Sequence, residues 1–365
     1  MKKVSSIVFA LVIIATMMLA ACAPAAPAAT AEPAAPAEAT AVPVEATAAP
    51  VEATTAPVEP AAPALKLAAI FPGVITDADY NTMGYLGTEA VKKDLGVETA
   101  YSESVAVPDI DRVMREYVDA GFNIIWTHGG QYVTQTLELA KAFPDVEFIA
   151  EGDAQPAEMP ANVWFIDRNF HVGFYGIGAL AARATTTGKI GYIGGLTLPF
   201  SYAEVHAIQQ AIADSGKTVE FKPVWAGDFN DPAKSRQTAD AMIAEGVDVI
   251  IGSLNLGMQG VFESVKANSG SKVLVTAKYS DKSQFAPDNY ISSLIYDFSG
   301  PLTEIVNKIN AGEKGGYYPL GFATGVKLQT PLQNVPETVT TEMDAVIADL
   351  VSGKIEVVKD VNPVE

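Results

Sequence analysis

Residues 225–250 read WAGDFNDPAKSRQTADAMIAEGVDVI, and this stretch decides the fold class. Val219–Trp225 reads as a strand that ends at Trp225, and Asp228-Phe229-Asn230-Asp231-Pro232 turns the chain. Ala233–Glu245 reads as a helix, and Val247–Ile251 as a second buried strand. Asp231 ahead of Pro232 suits a helix start, since Asp caps and Pro fits the first helical turn. Strand, helix, strand in this order predicts parallel strands with a helix packed over them.

The same alternation continues in both directions. Strands are predicted at Lys189–Gly194 and Val273–Ala277, with helices at Val172–Thr185, Ala203–Asp214 and Gly260–Asn268. Nearer the N-terminus, Leu67–Phe71, Asn123–Trp126, Val146–Ala150 and Val163–Ile166 read as buried strands. Tyr85–Lys93, Ile110–Ala120 and Val133–Phe143 read as the helices between them. Two consecutive runs of this kind predict an α/β protein with two parallel-sheet domains covered on both faces. The chain has 365 residues, 49% of them apolar, enough for two such cores at about 150 residues each. No sequence repeat relates the two halves.

The N-terminus differs in character. Lys2 and Lys3 precede an apolar run, Ile7–Ala21, of 15 residues, shorter than the roughly 20 needed to span a bilayer. A basic start, a short apolar stretch and small residues at its end predict a secretory signal over 1–21. Its end, Leu19-Ala20-Ala21-Cys22, resembles a bacterial lipobox, which would make Cys22 the lipid attachment residue. A plain signal peptide with an incidental cysteine is the alternative. Several acyl chains would anchor the protein stably, where one binds only marginally. Residues 22–64 are mostly Ala, Pro, Thr, Val and Glu, with PVEATAA from Pro43, PVEATTA from Pro50 and PVEPAA from Pro57. Recurrent proline blocks helix and aromatic residues are absent, so this stretch reads as an extended tether or a linker of no selected length.

Composition excludes several functions. Lys plus Arg number 24 against 43 Asp plus Glu, a net charge of −19, which argues against nucleic acid as a partner. One cysteine permits no intramolecular disulfide and no cysteine-based zinc site. His128, His171 and His206 form no metal-binding pair, so neither metal nor cofactor is expected. GKIGYIGG at 188–195 does not match the dinucleotide fingerprint, and neither a GxSxG elbow nor a P-loop occurs. Asp77 and Asp79 could act as an acid–base pair, yet a turn explains them equally. Catalysis is the less supported class.

Ligands of open α/β sheets bind beyond the carboxyl ends of strands. There the sequence places Asp77, Tyr80, Asn81 and Tyr85 after the first strand, His128 and Gly129 after Trp126, and Glu151 after Ala150. In the second half it places Trp225, Phe229, Asn255, Tyr279 and Asp281. Flat rings beside a few directional polar groups suit a planar heterocycle or a sugar. Asp77 and Asn81 also suit a turn, and His128 suits either ligand contact or a loop hydrogen bond. Function is favoured for Asn81, because Tyr85 lies one helical turn away.

Several stretches together resemble the basic membrane protein (BMP) family of ABC-transporter substrate-binding lipoproteins, which includes purine nucleoside receptors. They are DADYNTMGYLG at 77–87, GFNIIWTHGG at 121–130, FPDVEFIAEG at 143–152, TTGKIGYIGG at 186–195, residues 225–250 and SDKSQFAPDNYISSLIYDF at 280–298. The resemblance implies a type I periplasmic-binding-protein fold: two doubly wound lobes joined by a three-strand hinge, with the ligand held between them. It implies an N-terminal lobe of 65–166 plus 280–316 and a C-terminal lobe of 167–279 plus 317–365. Crossovers are expected near Asp167–Phe170, Ala277–Asp281 and Gly315–Pro319.

By the same resemblance Asp77 and Asn81 match the family's D-x-S-F-N segment, and Tyr85 matches a position that stacks on the base. Where nucleoside binders carry a ribose-holding Asp, this chain has Tyr279; their Lys aligns with Tyr296, and another Asp aligns with Gly152 beside Glu151. These departures favour a free nucleobase or similar heterocycle. Tyr85 with Trp225 or Phe229 would sandwich the ring, and Asp77, Asn81, Glu151 and Asp281 would meet its edges. The expected partners are that small molecule and an ABC permease, with membrane contact through the lipid alone. The expected protein is a monomer. A ligand-sensing receptor, or a surface enzyme acting on nucleosides, is the alternative.

Overall fold

The computed structural model describes residues 64–364 other than 269 and 271. The predicted signal, Cys22 and the tether up to residue 63 lie outside the described residues. A first run holds β1 (Lys66–Ile70), α1 (Tyr80–Leu95), β2 (Glu98–Ser102), α2 (Ile110–Asp119), β3 (Ile124–Thr127), α3 (Val133–Ala142), β4 (Glu147–Gly152) and β5 (Val163–Asp167). A second holds α4 (Phe170–Ala184), β6 (Lys189–Gly194), α5 (Pro199–Asp214), β7 (Glu220–Trp225), α6 (Pro232–Ala244), β8 (Val249–Ser253), α7 (Met258–Ala267), β9 (Leu274–Lys278) and β10 (Tyr290–Tyr296). The chain continues through α8 (Ser299–Asn310), β11 (Gly316–Pro319), β12 (Val326–Leu328) and α9 (Glu337–Val351).

These strands form two six-stranded sheets, ordered β11-β5-β4-β3-β1-β2 and β12-β10-β9-β8-β6-β7. The first sheet is parallel throughout; the second is parallel except where β10 meets β12 antiparallel. Each repeats one winding, in which the second strand flanks the first and the chain then turns to the other side. That reversal leaves a crevice beyond the carboxyl ends of the two strands beside it. This is the expected α/β architecture of two doubly wound lobes.

Burial explains why the central strands form. Every residue of β3, β4, β5, β8 and β9 is buried, as strands covered by helices on both faces must be. Edge strand β2 (ETAYS) is only partly covered, and its mixed composition gave no apolar run to read. Helix α4 is buried nearly all round, with Gly178 at its contact with α5. A Cβ there would stand 2.8 Å from the Ile208 Cα, so only glycine lets the two helices approach this closely.

The lobe boundaries differ from expectation in two respects. Residues 280–316 were expected in the N-terminal lobe, but β10 lies beside β9 in the second sheet, pairing Ser293 with Ala277. The chain therefore does not cross near Ala277–Asp281. It crosses after Tyr296, where Asp297 and Phe298 lead into α8, which packs on α1. β11 then joins β5 in the first sheet, and residues 320–325 return the chain to β12. The last crossing thus follows Pro319, a few residues beyond the expected place. The physical reason is that Ser292 and Ser293 are buried and satisfied: Ser292 Oγ donates to Gln329 O at 2.9 Å, and Tyr290 OH donates to Ser293 Oγ at 2.7 Å. Polar residues in YISSLIY concealed a core strand.

Candidate functional site

The carboxyl ends of both sheets face a common cleft. A cavity of about 340 Å³ lies there, with walls from both lobes. From the first lobe come Pro72 and Gly73 after β1, Tyr80 and Asn81 at the start of α1, and Gln131 after β3. From the second come Phe200, Phe229, Asn255, Lys278 and Tyr279, while Arg168 and Phe170 border the first crossing. An adjoining space of about 490 Å³ shares Gln131, Arg168 and Phe200 and adds Asp153.

The first wall is built on Asp77. Its carboxylate accepts from the backbone N–H groups of Asp79, Asn81 and Thr82 and from the Asn81 side chain at 2.7 Å. It therefore caps α1 and orients the Asn81 amide, whose oxygen accepts from Gly73 N–H at 3.3 Å. Burial raises the Asp77 pKa, but these donors outweigh it and hold the carboxyl below the usual range. Asp77 supports the wall without lining it.

Behind the Tyr80 ring lies a buried polar stack. The ring rests on His128, with centroids 3.9 Å apart. His128 Nδ1 meets Glu151 Oε2 at 2.7 Å and its Nε2 meets the Tyr80 carbonyl at 2.9 Å. Tyr80 OH donates to Glu151 Oε1, and Arg168 Nη1 donates to that hydroxyl at 3.1 Å. Burial opposes ionisation of Glu151, but His128 and Arg168 hold its carboxyl below the ordinary range. Burial and the Glu151 charge push the Tyr80 phenol well above its own. Arg168 also forks onto Asp153, donating from Nε at 2.9 Å and from Nη2. The guanidinium is thus pinned by a bidentate pair.

The second wall is largely aromatic. Phe200 and Phe229 stack with centroids 6.2 Å apart and planes 17° apart. Lys278 Nζ lies 5.7 Å from the Phe170 and Phe229 ring centres and 4.8 Å from that of Tyr279. It donates to Ser253 Oγ at 3.0 Å, which donates to Glu204 Oε2 at 2.7 Å. Burial lowers the Lys278 pKa and raises that of Glu204, each partly offset by the other's charge. Tyr279 adopts φ 75°, a left-handed conformation that costs a bulky residue roughly 1–3 kcal/mol. It places the ring 5.9 Å from both Tyr80 and Tyr296.

Of the residues singled out from sequence, Tyr80, Asn81, Phe229, Asn255 and Tyr279 line the cavity. The others stand elsewhere. Tyr85 packs edge-on against Tyr101 of β2, at 5.2 Å, and Trp225 lies edge-on to Tyr192 and Tyr202, so neither forms the expected sandwich. The reason is helical phase: Tyr80 at the first position of α1 meets the cleft, and Tyr85 emerges on another face. Glu151 and His128 are fully buried behind Tyr80, and Tyr296 is fully buried against Phe170, at 4.9 Å. Gly129, at φ 153°, forms the turn after His128 without lining the cavity. Asp281 is exposed and accepts from Ser283 N–H at 2.8 Å, so it meets no edge of the cavity. Arg168, Phe170, Phe200 and Lys278 were not singled out. Lys278 directly follows the apolar run Val273–Ala277, and Arg168 comes two residues after Val163–Ile166, and that position was the available signal.

Comparison with known proteins agrees with this geometry. A family model described as ABC transporter substrate-binding protein PnrA-like (Bmp) matches residues 64–360. Basic membrane protein A2 of Borrelia garinii is 25% identical over 299 residues, covering 80% of this chain and 87% of that protein. A purine-binding protein of Brucella abortus is 25% identical over 295 residues, covering 80% and 82%. Among solved structures, an ABC transporter solute-binding protein of Conexibacter woesei superposes with a TM-score of 0.71 at 24% identity, over 81% of this chain and 99% of that one. The two wound lobes, the cleft at their strand ends and a match across nearly all described residues lead to one conclusion: the chain belongs to the Bmp family of PnrA-like ABC transporter substrate-binding proteins.

Proposed function

We propose that this protein is the extracytoplasmic, lipid-anchored capture component of an ABC importer. It binds a purine-type nucleobase, nucleoside or related small heterocycle between its lobes and delivers it to a permease. The observation that carries the ligand class is the cavity lining: rings from both lobes (Tyr80, Phe170, Phe200, Phe229, Tyr279) beside the amides of Asn81, Gln131 and Asn255. Rings grip a flat heterocycle by its faces and amides read its edge. The purine-binding relative supports the same class. A guest that touches both lobes stabilises only the closed arrangement, so ligand and hinge closure are coupled.

The free base is the favoured form, because among the described residues the cavity lining carries no carboxylate to accept ribose hydroxyls. Anchoring would run through Cys22, tethering the body to the membrane. Among the described residues no helix is long and apolar enough to cross a membrane. The test is isothermal titration with purine bases and their nucleosides, preceded by mass spectrometry of small molecules that co-purify. Micromolar or tighter base binding is expected. Saturable binding of sugars or amino acids, with no purine bound, would overturn the reading.

A further inference from the structure

The charges around the cleft are unevenly placed. Two cationic side chains, Arg168 and Lys278, line the 340 Å³ cavity, and no acidic side chain among the described residues does. Both are buried, at 8% and 2% exposure. The nearby carboxylates stand behind the walls or are already engaged. Asp153 is held by the Arg168 fork, Glu151 by His128 and Tyr80, and Glu204, fully buried, through its Oε2 by Ser253 and Tyr192 while its Oε1 has no hydrogen-bond partner among the described residues.

Lys278 differs from Arg168 in what it faces. An ammonium carries three donors, and Lys278 makes one hydrogen bond among the described residues, to Ser253 Oγ. The rings of Phe170, Phe229 and Tyr279 lie close to its head, and the Glu204 and Asp79 charges act on it without hydrogen bonding to it. Ring faces attract a cation but offer no lone-pair acceptor, so part of its hydrogen-bonding capacity points toward the guest. A carbonyl or anionic edge there gains a charge-assisted hydrogen bond in a low-dielectric space. An amino group in the same place would set donor against donor and leave a buried ammonium unsatisfied.

Building on the heterocycle reading above, we infer that the bound solute is an acidic, oxo-substituted heterocycle, and that Lys278 selects it against amino-substituted analogues. Arg168, fixed by Asp153, adds positive potential without moving. The neutral amides of Asn81, Gln131 and Asn255 read the rest of the ring edge in either polarity.

The experiment is calorimetric titration of the intact protein near pH 7.5 with urate, xanthine, adenine, adenosine and the non-purine oxo-acid orotate. Urate or xanthine should bind at least about tenfold more tightly than adenine. In Lys278→Met that preference should shrink to within about threefold. Lys278→Met combined with Glu204→Gln serves the same purpose without stranding a buried carboxylate. Adenine or adenosine binding as tightly as the oxopurines would overturn this inference and leave the purine reading standing. Orotate binding with no purine bound would support the inference and overturn the purine reading. Failure of every compound to bind would overturn both.

Discussion

Lys282 Nζ lies 2.6 Å from Asp79 Oδ1, and this ion pair joins the two lobes beside the cleft. Asp79 precedes α1 in the first lobe, and Lys282 lies between β9 and β10 of the second. Ser280 Oγ adds a hydrogen bond to the Ala78 carbonyl at 2.6 Å. Both charged side chains are almost wholly buried, at 5% and 3% exposure. Burial raises the Asp79 pKa, and Lys282 works against that shift. Breaking such a pair leaves an uncompensated buried charge, which matters more than the attraction lost.

Lys282→Ala should therefore destabilise the protein by roughly 3–5 kcal/mol in urea unfolding. The double variant Lys282→Met with Asp79→Leu should recover most of that loss, because apolar side chains need no partner. A double variant no more stable than the single one would show that the pair contributes more than mutual neutralisation.

Gly84→Ala sets two effects against each other. Alanine is the better helix former by about 1 kcal/mol. A Cβ at this position would stand 2.8 Å from His128 Nε2 and from a Phe71 ring carbon. His128 is held by Glu151 and the Tyr80 carbonyl, so it cannot yield without breaking that stack. A net loss of about 1–3 kcal/mol is expected, read as a lower melting temperature.

His171 on α4 is buried, and burial with the nearby Lys359 charge pushes its pKa down to about 4, against the opposing pull of Asp167. The folded state keeps it neutral between roughly pH 6.5 and 4, while the unfolded chain takes up a proton there. Stability must then fall as pH drops through this window, by up to about 1.4 kcal/mol per unit from this group. His171→Phe should remove that portion of the slope, measurable as urea midpoints at several pH values.

The C-terminal tail is tied to the first crossing. Lys359 Nζ lies 3.0 and 3.1 Å from the two Asp167 carboxylate oxygens, and Tyr317 OH donates to the same group at 3.0 Å. Leu320 N–H, at the last crossing, donates to the Asp167 carbonyl at 2.8 Å. Lys359→Ala should cost only about 1 kcal/mol, since the lysine is partly exposed and Tyr317 remains. It should still speed proteolytic trimming of residues 352–364. An unchanged cleavage pattern would show that other contacts hold the tail.

The fold was legible because its central strands are covered on both faces. Runs such as LAAI in β1 and IIW in β3 have no polar side to present, and Asp231 caps α6 by accepting from Lys234 N–H at 3.0 Å. The same logic missed β10, whose buried serines read as polar, and β2, which is half covered at an edge. The site was less legible. Position beyond a strand brought out Tyr80, Asn81, Phe229, Asn255 and Tyr279, but it could not separate a wall from the layer behind it. Glu151 and Asp153 lie two residues apart, yet one is fully buried behind Tyr80 and the other meets the Arg168 fork.

What the sequence determined unaided is local and periodic: buried parallel strands, the helices between them, and the polar turns at their carboxyl ends. These follow from side-chain pattern within a dozen residues. The tertiary structure alone decided which strand ends share the cleft, that β10 stays with the second sheet, and that Lys278 faces the cavity while Glu204 stands behind it. Such facts depend on contacts between residues far apart in the chain, where helical phase and sheet register choose the direction of each side chain. Neighbouring sequence carries no record of that choice.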